Sequence, residues 1–155
     1  MRAARAEEAA ALTALCTRSK AHWGYDADFM RLSATSLTTT AAMIEDGHVM
    51  VAQDQHANLV GVVAVQKLDG DGNFDLAQLY VEPRVIRMGI GRALFEAAVA
   101  LVASQGGSHI AILSDPFAES FYIRLGALRT DDAPSDAIPG RRLPRLEYTI
   151  SSLRK

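Results

Sequence analysis

A glycine-containing loop bordered by arginines is the first part of the sequence whose residue types could perform chemistry. Residues 81–94 read VEPRVIRMGIGRAL, in which an apolar strand meets a proline and a helix then opens at Gly89 and Gly91. Glycine has no Cβ, so a ligand can approach its backbone closely. The N–H groups and the positive dipole end of a helix start both favour an anion. The loop therefore predicts a phosphate or pyrophosphate site, with a plain strand-to-helix turn as the alternative.

Two common phosphate-binding patterns do not fit this loop. A dinucleotide fingerprint needs a third glycine at the position that Leu94 occupies. A Walker loop needs Lys and then Ser or Thr after its last glycine, and this chain has Arg92 and Ala93 there. The anion must therefore belong to a different class of ligand.

Hydrophobic periodicity predicts the elements that position this loop. Residues 6–20 and the stretch from about Asp26 have helical spacing, with Gly24 between them. Runs of β-branched or alternating apolar residues predict strands over 48–53, 58–67, 74–81, 109–113 and 146–150, and the later helices are predicted over 89–104 and 118–125. This order predicts an α/β fold, a mixed sheet with helices on both faces.

Composition and charge narrow the function classes. The chain has 155 residues, 49% of them hydrophobic and 22% charged, which is typical of one globular domain over residues 1–155. The net charge of −2 and the pI near 6.1 give no broad attraction to nucleic acid or to an acidic membrane. No apolar run reaches the length of a membrane span. We therefore expect neither nucleic acid nor membrane as a partner.

Cysteine and histidine usage bears on the compartment and on metals. Cys16 is the only cysteine and has no internal disulfide partner, which favours the reducing cytoplasm. Its place on the apolar side of the first helix favours a buried thiol over a nucleophile. The four histidines show no metal-ligand spacing, so we expect no metal.

Two segments resemble the motifs of one enzyme superfamily. LYVEPRVIRMGIGRALFEAA, residues 79–98, is similar to the strand, V-x-P, Q/R-x-x-G-x-G/A and helix signature of the GCN5-related N-acetyltransferases. SDPFAESFYIRLGALR, residues 114–129, resembles the downstream element of that superfamily, in which a tyrosine precedes a glycine by four residues. The motifs occur in the expected order, and the resemblance is close over residues 74–130.

The resemblance implies an acetyl-CoA-binding fold whose sheet is largely antiparallel and whose central strands splay apart. A bulge in the strand before the loop would free backbone groups, with which the pantetheine amides pair like an added strand. The residues that it assigns to the CoA side are Leu79, Tyr80, Val81, Arg84, Arg87, Met88, Gly89, Ile90, Gly91, Arg92, Ala93, Ala118 and Phe121.

One residue departs from the superfamily pattern. Ile86 stands where Gln or Arg is usual, and Arg87 stands where Gly is common. Donation from backbone N–H groups does not depend on side chains, so the anion cradle is retained. Arg84 and Arg87 are the candidates to replace the missing side-chain contact.

The resemblance also implies where the reaction takes place. Tyr122 matches the tyrosine that protonates the departing CoA thiolate. Asp75 lies where relatives often carry a glutamate base, and it is equally a plain turn carboxylate at the end of the DGDGNFD hairpin. Gln78, on the same strand, could orient a water molecule.

Aromatic residues between the first two helices predict the acceptor site. His22, Trp23 and Tyr25 suit a small amine with an apolar body, or else form an aromatic plug between helices. The segment IPGRRLPR, residues 138–145, either frames the other side of the cleft or presents solvated arginines, Arg141 among them.

These observations together predict an N-acetyltransferase. It would move an acetyl group from acetyl-CoA to a primary amine of a small molecule or peptide, by direct attack on the thioester. A non-catalytic acyl-CoA-binding regulatory module is the alternative, which Ile86 favours and Tyr122 disfavours. A homodimer is one option for the assembly.

Overall fold

Seven strands form one sheet in the computed structural model of the protein, which describes residues 1–150. In chain order they are Arg2–Ala3 (β1), Val49–Gln53 (β2), Leu59–Lys67 (β3), Asn73–Val81 (β4), His109–Leu113 (β5), Leu128–Pro134 (β6) and Arg142–Thr149 (β7). Their order across the sheet is β1-β2-β3-β4-β5-β7-β6, and every neighbouring pair is antiparallel except the parallel pair β4–β5. The predicted mixed, largely antiparallel sheet is confirmed.

Helices cover both faces of this sheet, as predicted. They are Ala9–Ala21 (α1), Ala27–Ser33 (α2), Ala41–Glu45 (α3), Ile90–Ser104 (α4) and Glu119–Arg124 (α5). Side chains alternate across a strand, so β3 serves two cores: Val63 and Val65 pack with α4, whereas Val62 and Ala64 pack with α1. Cys16 is fully buried in the α1 core. Among the helices of residues 1–150, none is long and apolar enough to cross a membrane.

Three elements were not predicted: β1, α3 and β6. The first has two residues and the second has five, which is too short for a hydrophobic period. The third, LRTDDAP, is exposed along nearly its whole length and is held by backbone pairing to β7, so it has no apolar alternation. The predicted second helix also ends earlier than expected, at Ser33, and Leu37 is buried beyond its end.

The central strands β4 and β5 part after a short stretch of pairing. Only residues 73–75 of β4 pair with residues 109–111 of β5. On its other side β4 contains a bulge, because Ala64 of β3 faces Gln78 whereas the next residue, Val65, faces Leu76. The extra residue bends the strand away from its parallel neighbour. The splayed central strands expected from the resemblance are confirmed.

Candidate active site

A cleft of about 990 Å³ opens where β4 and β5 separate. Twelve of the sequence-predicted site residues line it: Trp23, Asp75, Leu79, Tyr80, Val81, Arg87, Gly89, Gly91, Arg92, Ala118, Phe121 and Tyr122. Six do not: His22, Tyr25, Arg84, Met88, Ile90 and Ala93. Of these, Met88, Ile90 and Ala93 line a smaller cavity of about 330 Å³ on the other side of the loop, which Gly89 also reaches.

The loop before α4 presents unpaired backbone donors. The helix begins at Ile90 without a side-chain cap, and Gly89 precedes it with φ +82°. Within residues 1–150, the N–H groups of Gly89, Ile90, Gly91 and Arg92 donate to no backbone acceptor. Four adjacent donors at the positive end of a 15-residue helix form a cradle for an anion.

The two glycines of the cradle have different roles. A Cβ on Gly89 would meet nothing within 4 Å, so this position needs glycine for its positive φ and not for space. A Cβ on Gly91 would lie 3.3 Å from the Phe121 ring. The absence of a side chain at Gly91 therefore lets Phe121 pack over the start of α4, and the two sequence motifs meet at this contact.

The arginines around the cradle are not equivalent. Arg84 lies outside the cleft and pairs with Asp54 at 3.7 Å. Arg87 lines the cleft, and in residues 1–150 no carboxylate lies within salt-bridge distance of its side chain. Its backbone has φ +74°, a left-handed conformation that favours glycine. Of the two candidates to replace the contact missing at Ile86, Arg87 is the one that faces the cleft.

Beyond the bulge, one edge of β4 is open toward the cleft. The N–H of Glu82, just after β4, donates to the carbonyl of Val60 in β3 at 2.8 Å, so residue 82 points toward β3. Backbone groups alternate in direction along a strand, and the register is regular from residue 78 to 81. The N–H and C=O groups of Leu79 and Val81 therefore point away from β3, to the side where β5 no longer pairs. They can receive an extended amide-containing chain.

Tyr122 is buried in α5, with its hydroxyl at the cleft. Its ring packs against Phe121 and Phe95, with centroids 5.1 and 6.1 Å away. Burial raises the pKa of the Tyr122 phenol, and negative charge on Tyr80 and Asp115 would raise it further. The Tyr122 hydroxyl forms no hydrogen bond with residues 1–150, whereas every fully buried side-chain oxygen or nitrogen in that range has a partner. The hydroxyl is therefore not fully buried, and Tyr122 lines the cleft. It can donate a proton or a hydrogen bond into that space.

Asp75 lies inside β4 and not in the hairpin turn. It faces Gln66 across the strand pair and is the last residue of β4 that pairs with β5. Burial raises the pKa of its carboxyl, the nearby Asp136 raises it further, and Arg145 opposes both. A half-buried carboxylate with a raised pKa, at the point where the strands part, has the chemistry of a proton acceptor.

Gln78 is a buried link between the bulge and the segment that joins α2 to α3. Its Oε1 accepts from the Thr39 hydroxyl at 2.8 Å, and its Nε2 donates to the carbonyls of Thr38 at 3.0 Å and Ser36 at 3.4 Å. Its amide donors are therefore already used by the protein. The side chain thereby fixes the cleft wall, and the expectation that Gln78 orients a water stays a prediction that concerns the second lone pair of its Oε1.

Two exposed aromatic rings form a wall at the cleft. Trp23 stacks on Phe117, with centroids 5.0 Å apart and planes 6° from parallel, and His22 lies edge-on behind Trp23. Phe117 follows Asp115, whose side chain caps the turn Pro116–Ala118 by accepting from the Phe117 N–H. Phe117 was not predicted from the sequence as a site residue, although the Asp-Pro pair before it is a helix start signal.

A network of charged and aromatic side chains joins three segments behind this wall. Lys20 pairs with Asp115 at 2.6 Å, the Tyr25 hydroxyl donates to Asp115 at 2.8 Å, and Arg141 donates to the Tyr25 hydroxyl at 2.9 Å. Burial alone would raise the pKa of the Asp115 carboxyl, but Lys20 and the Phe117 N–H outweigh burial and lower it. Lys20 and Asp115 were not predicted as site residues, because two residues 95 positions apart in the chain leave no local sequence pattern.

Comparisons with known proteins agree with this geometry. Residues 17–135 match the family model of the acetyltransferase (GNAT) domain. The fold is similar to that of the paia N-acetyltransferase from Thermoplasma acidophilum, solved in complex with coenzyme A, with a TM-score of 0.77, 14% identity and coverage of 96% of this chain and 97% of that chain. A GNAT-family acetyltransferase from Staphylococcus aureus Mu50 superposes with a TM-score of 0.72, 16% identity and coverage of 96% of both chains.

A curated relative is more similar in sequence over a shorter span. This chain is 33% identical over 93 residues to serotonin N-acetyltransferase 2, chloroplastic, from Oryza sativa subsp. japonica. The match covers 58% of this chain and 46% of the rice protein, so the chain spans about half the length of that relative.

Proposed function

The chain belongs to the GNAT acetyltransferase family, and from this premise we propose that it moves an acetyl group from acetyl-CoA to a primary amine of a small molecule or peptide. The observation that carries the proposal is the opening between β4 and β5, which has unpaired backbone donors at one end and the Tyr122 hydroxyl within it. We further propose that residues 1–155 act as a single acyltransferase domain, that it works in the cytoplasm, and that a homodimer is one possible assembly.

In this proposal the backbone binds the co-substrate. The cradle formed by the N–H groups of residues 89–92 holds the pyrophosphate, and Arg87 adds a charge from the cleft side, whereas the N–H groups of Met88 and Ala93 already donate to Val85 and Gly89. The open groups of Leu79 and Val81 pair with the pantetheine amides and place the thioester where the strands part. Phe121, which packs over Gly91 at the start of α4, forms part of the wall against which CoA would fit.

The proposed reaction is a direct transfer whose protons have named destinations. The acceptor ammonium gives a proton to Asp75, directly or through water, and the amine nitrogen then bonds to the thioester carbon. The carbon–sulfur bond breaks, and the thiolate receives a proton from Tyr122. The acetylated nitrogen loses its second proton to the Tyr122 phenolate through water, which restores the phenol and leaves a neutral amide, and Asp75 returns its proton to solvent. A phenol is protonated at neutral pH, and burial raises the pKa of Tyr122 further, so its hydroxyl carries the proton that it donates.

The acceptor in this proposal has an apolar body. Trp23 and Phe117 offer flat, exposed surfaces at the cleft, 41% and 55% accessible, to which an apolar group can bind. Serotonin, after which the rice relative is named, is one such amine and belongs in any panel.

The test is release of free thiol from acetyl-CoA in the presence of a panel of primary amines. Tyr122→Phe keeps the ring and its packing and removes only the hydroxyl. General acid catalysis contributes on the order of 10²–10⁴ in rate, so kcat should fall by about that factor while CoA affinity stays near wild type. Tyr148→Phe is the matched control, because the Tyr148 ring also packs on Phe95, 5.0 Å away, but does not line the cleft.

Two results would contradict the proposal in different ways. CoA binding without thiol release from any amine would favour the regulatory acyl-CoA-binding module. Wild-type turnover in Tyr122→Phe would leave the transferase standing and remove the assigned role of the hydroxyl.

A further inference from the structure

Arg141 holds its guanidinium at the cleft on a platform of two aromatic rings. Tyr25 and Phe29 stack with centroids 3.8 Å apart, and the guanidinium carbon lies 5.2 and 4.8 Å from their centroids. One Nη2 donates to the Tyr25 hydroxyl at 2.9 Å. The platform and this bond fix the orientation of a side chain that is otherwise flexible.

Most of the hydrogen-bonding capacity of Arg141 is unused. A guanidinium has five N–H donors, and within residues 1–150 only the bond to Tyr25 is made. None of the ion pairs in this part of the chain includes Arg141. A planar, oriented fork with free donors matches the geometry of a carboxylate.

The local charge also favours an anion at this point. Lys20 sits on the same platform, 5.2 Å from the Tyr25 centroid, but its charge is matched by Asp115 at 2.6 Å. Arg141 therefore leaves the cluster with one uncompensated positive charge. Two other carboxylates line the cleft, Asp75 and Asp136, and they lie near one another. The cation that acts on Asp75 is Arg145 and not Arg141.

We propose that Arg141 binds a carboxylate of the acceptor, so that the preferred acceptor is an amine that also carries a carboxylate, as amino acids do. This inference rests on the proposed function and adds the substrate class to it. The ammonium of such an acceptor is directed to Asp75, its carboxylate to Arg141 and its apolar body to the wall of Trp23 and Phe117.

Matched acceptor pairs that differ only in the carboxylate test this inference. Tryptophan with tryptamine and phenylalanine with phenethylamine are compared by kcat/KM, using wild type, Arg141→Gln and Arg142→Gln. Arg142 is the control, because it is the neighbouring exposed arginine and donates to the Asp132 carbonyl of β6. Calorimetry of each acceptor with the enzyme–CoA complex measures binding independently of turnover.

We expect wild type and Arg142→Gln to prefer the carboxylated member of a pair. Charge-assisted hydrogen bonds of this kind are worth roughly ten- to a hundredfold, so Arg141→Gln should lose about that much of the preference. Arg141→Lys, which keeps the charge without the fork, should recover part of it. CoA affinity and thermal unfolding should not differ between Arg141→Gln and Arg142→Gln.

The outcomes separate this inference from the proposed transfer. Acetylation with no preference for the carboxylated member in either pair, or a preference that survives in Arg141→Gln, overturns the inference and leaves the transferase. Arg141-dependent binding of the amino acids without transfer supports the inference and counts against the transferase. Failure of the carboxylated members to bind overturns the inference.

Discussion

Replacing Arg87 with glycine should make the protein more stable and make it bind CoA less tightly. Arg87 has φ +74°, which costs a side-chain-bearing residue about 1–2 kcal/mol. Glycine removes that cost, but its greater conformational freedom stabilises the unfolded state by about 0.4–1 kcal/mol. The free energy of unfolding should therefore rise by about 0.8 kcal/mol, which corresponds to about 2 °C in Tm for a domain of this size. Thermal unfolding measures the change.

The loss of CoA affinity has a separate cause, which a second variant isolates. An exposed ion pair is worth up to about 1 kcal/mol, so losing the Arg87 charge should weaken CoA binding by about fivefold at low salt, and less at high salt. Arg87→Ala loses the same charge but keeps the strained φ, so it should match Arg87→Gly in CoA affinity and wild type in Tm. Arg84→Ala should leave CoA affinity unchanged, because Arg84 lies outside the cleft.

A control for the strain lies elsewhere in the chain. Ala57 is exposed and has φ +64°, so Ala57→Gly should raise Tm by a similar amount without any effect on CoA. If Arg87→Gly were no more stable than Arg87→Ala, the strain argument would fail. Equal CoA affinity in wild type and Arg87→Ala at low salt would show that the Arg87 side chain does not contact phosphate.

The remaining predictions concern the cradle and the proposed base. Gly91→Glu places a carboxylate among the anion-binding donors and a Cβ 3.3 Å from Phe121, so calorimetry should detect no CoA binding, whereas Gly91→Ala should bind weakly and both should fold. Asp75→Asn removes a carboxyl whose raised pKa makes the ionised form costly in the folded state. Its Tm should exceed that of wild type at pH 7, and the difference should vanish as the pH falls below the ordinary Asp pKa of about 3.9. A Tm difference that does not change with pH would contradict the raised pKa of Asp75. Because Asp75 is the proposed base, acetyl transfer should also be lost in Asp75→Asn.

Helices and strands that bury a regular pattern of apolar side chains could be predicted from the sequence. The run LVGVVAVQK alternates between two cores, so β3 was predicted to within one residue. The loop and helix after Pro83 were also predicted, because glycines and the start of a helix are recognised from neighbouring residues in the sequence. The exposed β6 was missed because its stability comes from pairing with β7, and pairing through the backbone leaves no residue pattern.

The candidate site was predictable only where it follows the chain locally. Motif spacing identified Gly89, Gly91 and Tyr122, all of which line the cleft. The contact of Tyr25 with Asp115 and Arg141 joins residues 90 and 116 positions apart, so no window of sequence contains it. Sequence analysis of Arg141 therefore left two options open, whereas its aromatic platform and unused donors are visible only after folding.

The bulge in β4 is the point where folding energetics and the proposed chemistry depend on the same residues. Continued regular pairing of β4 with β5 would consume the backbone groups of Leu79 and Val81 and close the cleft. The bulge instead directs Gln78 into the α1 side of the sheet, where burying its amide would be costly without partners. Three hydrogen bonds to the segment 36–39 remove that cost and hold the strand in its bent course. The open edge that we assign to pantetheine is therefore maintained by a buried polar network on the α1 side of the sheet, at the cleft wall.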